Sequence, residues 1–182
     1  MQITHTPIDG CYELVPRVFE DGRGYFFESF NLRNFQEATD QDINFVQDNQ
    51  SFSTKGVLRG LHYQKGASAQ AKLVRVLEGE VLDVAVDIRK DSPSYGQVFT
   101  TVLSAKNNKQ LFIPRGCAHG FVTLSKTATF FYKCDNYYDP KAETGIIYND
   151  ERFGIDWILP KASLIISEKD LVLPTYSDYV NH

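Results

Sequence analysis

The chain has 182 residues, 42% of them hydrophobic and 13% aromatic, and carries a formal net charge of −4. That length can bury roughly 70% of the unfolded surface in one core, while the acidic balance argues against a nucleic-acid partner. No apolar run is long enough for a membrane helix, and the start MQITHTPIDG has neither a basic nor an apolar leader segment, so a cytoplasmic protein without a membrane partner is expected.

In chain order, the first strand pattern covers residues 24–30, and Asn31 then caps a helical turn or two through Phe35 and Ala38. Residues 72–77 and 80–88 read as strands, the second alternating with Leu82, Val84, Val86 and Ile88 on one face, and Glu78-Gly79 between them predicts a hairpin. Further strands are expected at 98–103, 110–113, 120–124 and 129–134, and Ser167 caps a short turn holding Glu168-Lys169-Asp170. From about residue 157 the pattern predicts loops and short turns. There are no repeats or linker-like shifts, so a single domain over 1–182 is expected. Short strands punctuated by Gly and Pro indicate an antiparallel sandwich or barrel. Cys11, Cys117 and Cys134 have no metal-like spacing and read as free, buried thiols.

Two motifs carry chemistry. In Gly56-Val57-Leu58-Arg59-Gly60-Leu61-His62-Tyr63-Gln64, polar groups interrupt an apolar strand. They destabilise it unless paired, and His62 taken alone reads equally well as a satisfied structural histidine. Strict alternation puts Arg59 and His62 on opposite faces. To share a site they need a bulge or twist at Gly60. In Pro114-Arg115-Gly116-Cys117-Ala118-His119-Gly120-Phe121, a tight turn delivers His119 to the start of a strand. The two motifs resemble the paired motifs of the cupins, with Gln64 where metal-binding cupins have a second histidine. Two imidazoles are too few for a tight transition-metal site, so no metal is expected. Locally, Lys72 reads as a strand-end lysine, Tyr132 as a core tyrosine with its hydroxyl at the rim, and Asp170 as a turn residue.

The order and spacing of the whole set say more. Asp21-Gly22-Arg23-Gly24-Tyr25-Phe26-Phe27-Glu28, Gln47-Asp48-Asn49, the two cupin-like motifs, Lys72-Leu73-Val74-Arg75, Tyr132-Lys133-Cys134, Glu143-Thr144-Gly145 and Ser167-Glu168-Lys169-Asp170 follow one another along the chain. Together they resemble the dTDP-4-dehydrorhamnose 3,5-epimerase family over nearly its full length. The resemblance implies an all-β cupin jelly roll with a few short helices, assembled as a homodimer. It also implies inversion of dTDP-4-keto-6-deoxyglucose at C-3 and C-5, a step in supplying rhamnose for lipopolysaccharide or cell-wall polysaccharide. By the same resemblance His62 is the base, Asp170 its orienting carboxylate, Tyr132 the acid, and Lys72 the cation near the keto oxygen. Arg23, Glu28, Gln47, Asn49, Arg59, His119, Glu143 and Lys169 match substrate-contacting positions, and Phe26 and Tyr138 match aromatics flanking thymine. The segment with Arg23, Phe26 and Glu28 is expected to reach the neighbouring subunit's site. Cys117 departs from the larger apolar residue usual there, and epimerisation gives it no nucleophilic task.

The chemistry is coherent with these residue types. The protons on C-3 and C-5 both lie α to the C-4 ketone, and an imidazole, with an ordinary pKa of about 6.5, suits their removal near neutral pH. Arg59 and Arg23 suit a diphosphate. No redox cofactor is expected, and no GxGxxG motif is present. Three alternatives stay open at this point: a single-centre epimerase or ketoisomerase on a related sugar, a non-catalytic sugar-nucleotide-binding cupin, and a metal-dependent dioxygenase.

Overall fold

The structure, a computed structural model, describes residues 1–180. The chain begins with β1 (Gln2–His5) and β2 (Tyr12–Val15), then a small hairpin of β3 (Phe19–Asp21) and β4 (Gly24–Phe26). Helix α1 (Leu32–Thr39) follows, then β5 (Gln47–Thr54), β6 (Val57–Gln64), β7 (Lys72–Glu78) and β8 (Glu80–Asp87). Next come β9 (Val98–Ser104), β10 (Gln110–Ile113), β11 (Cys117–Thr123) and β12 (Thr127–Cys134). The described chain closes with β13 (Glu143–Gly145), β14 (Ile165–Ile166) and the short helices α2 (Glu168–Leu171) and α3 (Tyr176–Val180).

The strands form two facing sheets. One runs β1-β2-β10-β7-β12-β5, and the other runs β13-β6-β11-β8-β9 with β14 added in parallel to β6. Val74, Val76, Leu111, Ile113 and Phe130 of the first sheet pack against Val81, Ala85, Leu103 and Phe121 of the second. The Phe121 and Phe130 rings stack across the gap with centroids 4.2 Å apart. Each of these side chains larger than alanine contributes about 1.5–3 kcal/mol by leaving water, so this layer holds the sandwich shut. The all-β jelly roll expected from the sequence is what forms.

Several local expectations hold and others need correction. Asn31 does cap α1, its side chain accepting from the Asn34 N–H at 3.2 Å. Leu82, Val84, Val86 and Ile88 do share a face, but it is the outer face of the second sheet. There they are covered by Ile146, Tyr148, Phe153 and Trp157. The hairpin expected across Glu78-Gly79 does not exist: β7 pairs with β10 and β12, while β8 pairs with β11 and β9 in the opposite sheet. Gly79, at φ +80°, turns the chain from one sheet into the other, with the Thr127 carbonyl where a Cβ would lie. A short glycine turn between two apolar runs has the same local signature in a hairpin and in a sheet-switching corner. The strand expected over 24–30 ends at Phe26, because Phe27 leaves the hairpin to stack on Tyr25 and under Arg75. The strand expected at 120–124 begins earlier, at Cys117, directly after the turn at Gly116.

Candidate active site

Between the sheets, bordered on its inner side by the stacked Phe121 and Phe130, lies a cavity of about 610 Å³. A second lobe of about 320 Å³ adjoins it, and Asn49, His62, Lys72 and Tyr132 line both. These four residues come from four strands. Asn49 on β5, Lys72 on β7 and Tyr132 on β12 belong to the first sheet, and His62 on β6 belongs to the second. The site is therefore framed by both walls of the sandwich.

The β6 bulge that the sequence demands is present. His62 lies opposite His119, and Arg59 lies opposite Phe121, so three steps along β6 span only two along β11. The extra residue resets the alternation and turns Arg59 and His62 into the same cavity. Glycine is required at the bulge. Gly60 has φ +123°, and a Cβ there would meet the Gly120 Cα at 2.6 Å and the His119 carbonyl at 2.7 Å.

The same bulge builds a histidine–carboxylate pair. His62 Nε2 lies 2.7 Å from Asp170 Oδ1, and the Gly60 N–H donates to Asp170 Oδ2 at 3.3 Å. Asp170 is itself placed by the cap of α2, where the Ser167 hydroxyl accepts from the Asp170 N–H at 3.1 Å. Burial pushes the Asp170 carboxyl up, but His62, the Gly60 N–H and Ser167 outweigh it and hold it below the ordinary carboxylate value. An ionised Asp170 accepts a hydrogen bond from the Nε2–H, which leaves Nδ1 of His62 as the nitrogen with a free lone pair.

Across the cavity, burial first, and then nearby Cys134 and Glu143, push the Tyr132 phenol up to about 12, so it stays protonated at neutral pH. The Lys72 ammonium lies 5.9 Å from the Tyr132 ring centroid. Burial lowers the Lys72 pKa, outweighing the opposing pull of nearby Cys134, Asp83 and Glu143. His119 also lines the cavity, held by a buried carboxylate: both oxygens of Asp83 lie within 3.1 Å of its Nε2.

The other expected residues divide into two groups. Arg59 lines the larger lobe, its Nε on the Ser53 hydroxyl at 3.2 Å. Gln47, Tyr138 and Glu143 line the smaller lobe with Asn49, and Gln47 Oε1 accepts from the Tyr138 N–H at 3.0 Å. Glu143 accepts from the Tyr138 hydroxyl at 2.9 Å and is ion-paired with Lys169. Burial raises the Glu143 pKa, but the Lys169 and Tyr138 hydrogen bonds outweigh it and leave it low. Arg23, Phe26 and Glu28, by contrast, do not reach the chain's own cavity. Arg23 is 91% exposed and paired to Asp21 on the β3–β4 hairpin. Phe26 is 69% exposed, and Glu28 holds the Asn31 and Asn34 amides.

Asp83 was missed in the sequence. Its signal was legible, since it is a carboxylate on a strand otherwise apolar from Val81 to Val86. The cysteines are free, as expected, and burial pushes the Cys117 thiol far up, away from nucleophilic use. Among the described residues, no three His, Cys, Asp or Glu side chains are grouped to hold a metal ion.

A two-sheet jelly roll with paired histidine strands and a His–Asp couple inside its mouth defines an acid–base enzyme of the cupin class. Residues 5–178 match the family model described as dTDP-4-dehydrorhamnose 3,5-epimerase, and the chain belongs to that family. The chain is 53% identical over 175 residues to the dTDP-4-dehydrorhamnose 3,5-epimerase of Salmonella typhimurium, covering 96% of this chain and 94% of that one. The crystal structure of dTDP-4-dehydrorhamnose 3,5-epimerase from Elizabethkingia anophelis superposes with a TM-score of 0.95 at 52% identity, covering 98% and 97% of the two chains. A Legionella pneumophila dTDP-6-deoxy-D-glucose-3,5-epimerase, solved in complex with dTDP-4-keto-L-rhamnose, gives a TM-score of 0.91 at 47% identity. That alignment covers 96% of this chain and 92% of that one.

Proposed function

We propose that this protein converts dTDP-4-dehydro-6-deoxy-D-glucose to dTDP-4-dehydro-L-rhamnose, by removing the protons on C-3 and C-5 and returning protons from the opposite face. The observation that carries the mechanism is the placement of His62–Asp170 on one wall and Tyr132 on the other wall of one cavity. His62 Nδ1 takes the α-proton, and Asp170 stabilises the imidazolium that forms. Lys72 stabilises the enolate oxygen developed from the C-4 ketone. Tyr132, protonated and facing from the other sheet, delivers a proton to the far face. Protons move and the sugar's oxidation level is unchanged, so a redox cofactor has no part in the step.

The nucleotide fits the polar lobe, where Gln47, Asn49, Tyr138 and Glu143 offer hydrogen bonds and an aromatic face, while Arg59 and Lys169 supply the cations for a diphosphate. Arg23, Phe26 and Glu28 act across a homodimer. An exposed arm carrying Phe19, Tyr25 and Phe26 supports this, because rings this exposed favour a surface to stack on. The three thiols and a nucleotide-activated substrate suit the reducing cytoplasm. No helix among the described residues is long and apolar enough to cross a membrane.

The test is Tyr132→Phe in deuterated water. The variant still forms the enolate, and His62 then returns a proton from the original side. Recovered substrate should gain deuterium at C-3, C-5 or both, while inversion falls about 10²–10⁴-fold. Inversion of both centres at the native rate would remove Tyr132 from the mechanism, and native exchange by His62→Ala would remove the base.

A further inference from the structure

Gln64 stands two residues beyond His62 on β6, 5% exposed at the wall of the smaller lobe, and its carboxamide is held by backbone. Its Nε2 donates to the carbonyls of Ser68 at 2.7 Å and Tyr137 at 3.2 Å, and its Oε1 accepts from the Asp139 N–H at 2.7 Å. Both donors and one acceptor site are filled. Two of these bonds bracket one residue. The Tyr137 carbonyl and the Asp139 N–H belong to the peptide groups on either side of Tyr138.

Tyr138 needs such a clamp. Residues 135–142 form neither helix nor strand, and the Tyr138 ring is half exposed at the rim of the smaller lobe. The Tyr138 N–H rests on Gln47 and its hydroxyl on Glu143, and without ties of this kind an aromatic on irregular backbone is ordered only on binding, at a cost to affinity. With the flanking peptides held by a buried side chain on an interior strand, the ring is ordered before the ligand arrives.

We propose that Gln64 is a positioning residue that sets affinity for the nucleotide end of the substrate through Tyr138, without touching the reacting carbons. This rests on the reading of the smaller lobe as the nucleoside site. Gln64→Glu keeps the shape but turns a carboxylate towards two carbonyls. Gln64→Met keeps the volume and removes the bonds, and it carries the test should the charged variant fail to fold, which a melting curve reveals. Calorimetric Kd for dTDP, and kcat and KM for the sugar nucleotide, are measured on the full-length protein.

The expected result is a roughly tenfold rise in both Kd and KM with kcat within about twofold of wild type. In a Tyr138→Ala background, Gln64→Met should cost little further affinity, because the two substitutions remove one unit. Native dTDP affinity in Gln64→Met, a loss confined to kcat, or losses that simply add to those of Tyr138→Ala would each overturn the proposal. If wild-type protein bound no dTDP at all, the nucleotide-sugar reading would fall first, and the proposal with it.

Discussion

Asp170→Asn is the sharpest probe of the His62 couple because asparagine keeps the shape and no orientation of its amide satisfies both neighbours while leaving Nδ1 unprotonated. Asp170 accepts twice, from His62 through Oδ1 at 2.7 Å and from the Gly60 N–H through Oδ2 at 3.3 Å. If the asparagine NH₂ faces His62, it demands a lone pair on Nε2 and moves the imidazole proton to Nδ1, the atom proposed as the base. If its oxygen faces His62, the NH₂ confronts the Gly60 N–H, and the imidazolium loses its anion. The side chain of Asp170 is only 5% exposed, so water restores little of either loss. Loss of a charge-assisted bond with the wrong tautomer amounts to about 3–5 kcal/mol in the transition state, or roughly 10²–10⁴ in rate. Deuterium exchange at C-3 and C-5, followed by NMR in deuterated water, reads proton abstraction directly. Exchange should fall by that factor while dTDP affinity holds, since Asp170 faces the base and not the nucleotide. Exchange within threefold of wild type at pH 7 would mean that the couple is structural, and the base would have to be sought elsewhere.

Gly60→Ala should cost stability and catalysis together, because its Cβ would meet backbone atoms at 2.6 and 2.7 Å that belong to the facing strand. A loss of several kcal/mol in denaturant unfolding is expected, and a melting temperature within a degree of wild type would contradict the bulge. Acid stability should depend on Asp87. Burial opposes its charge, but Arg89, Ser92 and Ser94 outweigh this and lower its pKa from 3.8 to about 2. A depressed carboxyl stabilises the fold at pH values above 3.8, and that contribution is lost as pH falls through about 2. With its Arg89 partner 26% exposed, the effect is about 1–2 kcal/mol after screening. Asp87→Asn should therefore lie below wild type at pH 7 and converge towards it near pH 2 in urea titrations, and an unchanging gap would refute the linkage. Sedimentation should find a homodimer, and Arg23→Ala mixed with His62→Ala should regain activity through hybrid sites. A monomeric active species would exclude the shared arm.

The polar strand β5 marks where sequence reading stops. Residues 47–54, QDNQSFST, offer no apolar face, yet they pair with β12 along their whole length. Their inward positions line a cavity, so the usual apolar alternation has no reason to appear. The β7–β8 corner fails for a related reason, since local residues specify a turn while the strand partners that make it a hairpin or a crossing lie dozens of residues away.

What the sequence determined by itself is the set of groups whose chemistry or backbone has no local explanation. These are polar residues within apolar strands, a glycine where two polar neighbours must face one way, caps at Asn31 and Ser167, and the ordered motifs that mark the family. Those signals are covalent and local, and they survive in a list of letters. Only the tertiary structure decided that His62 and Tyr132 stand on opposing sheets, that Nε2 and not Nδ1 meets Asp170, and that Asp83 backs His119. It also left Arg23 and Phe26 on an exposed arm outside the chain's own cavity. These are facts of three-dimensional closure. They arise because burying two apolar faces against each other brings together residues that the chain keeps far apart, 108 positions in the case of His62 and Asp170.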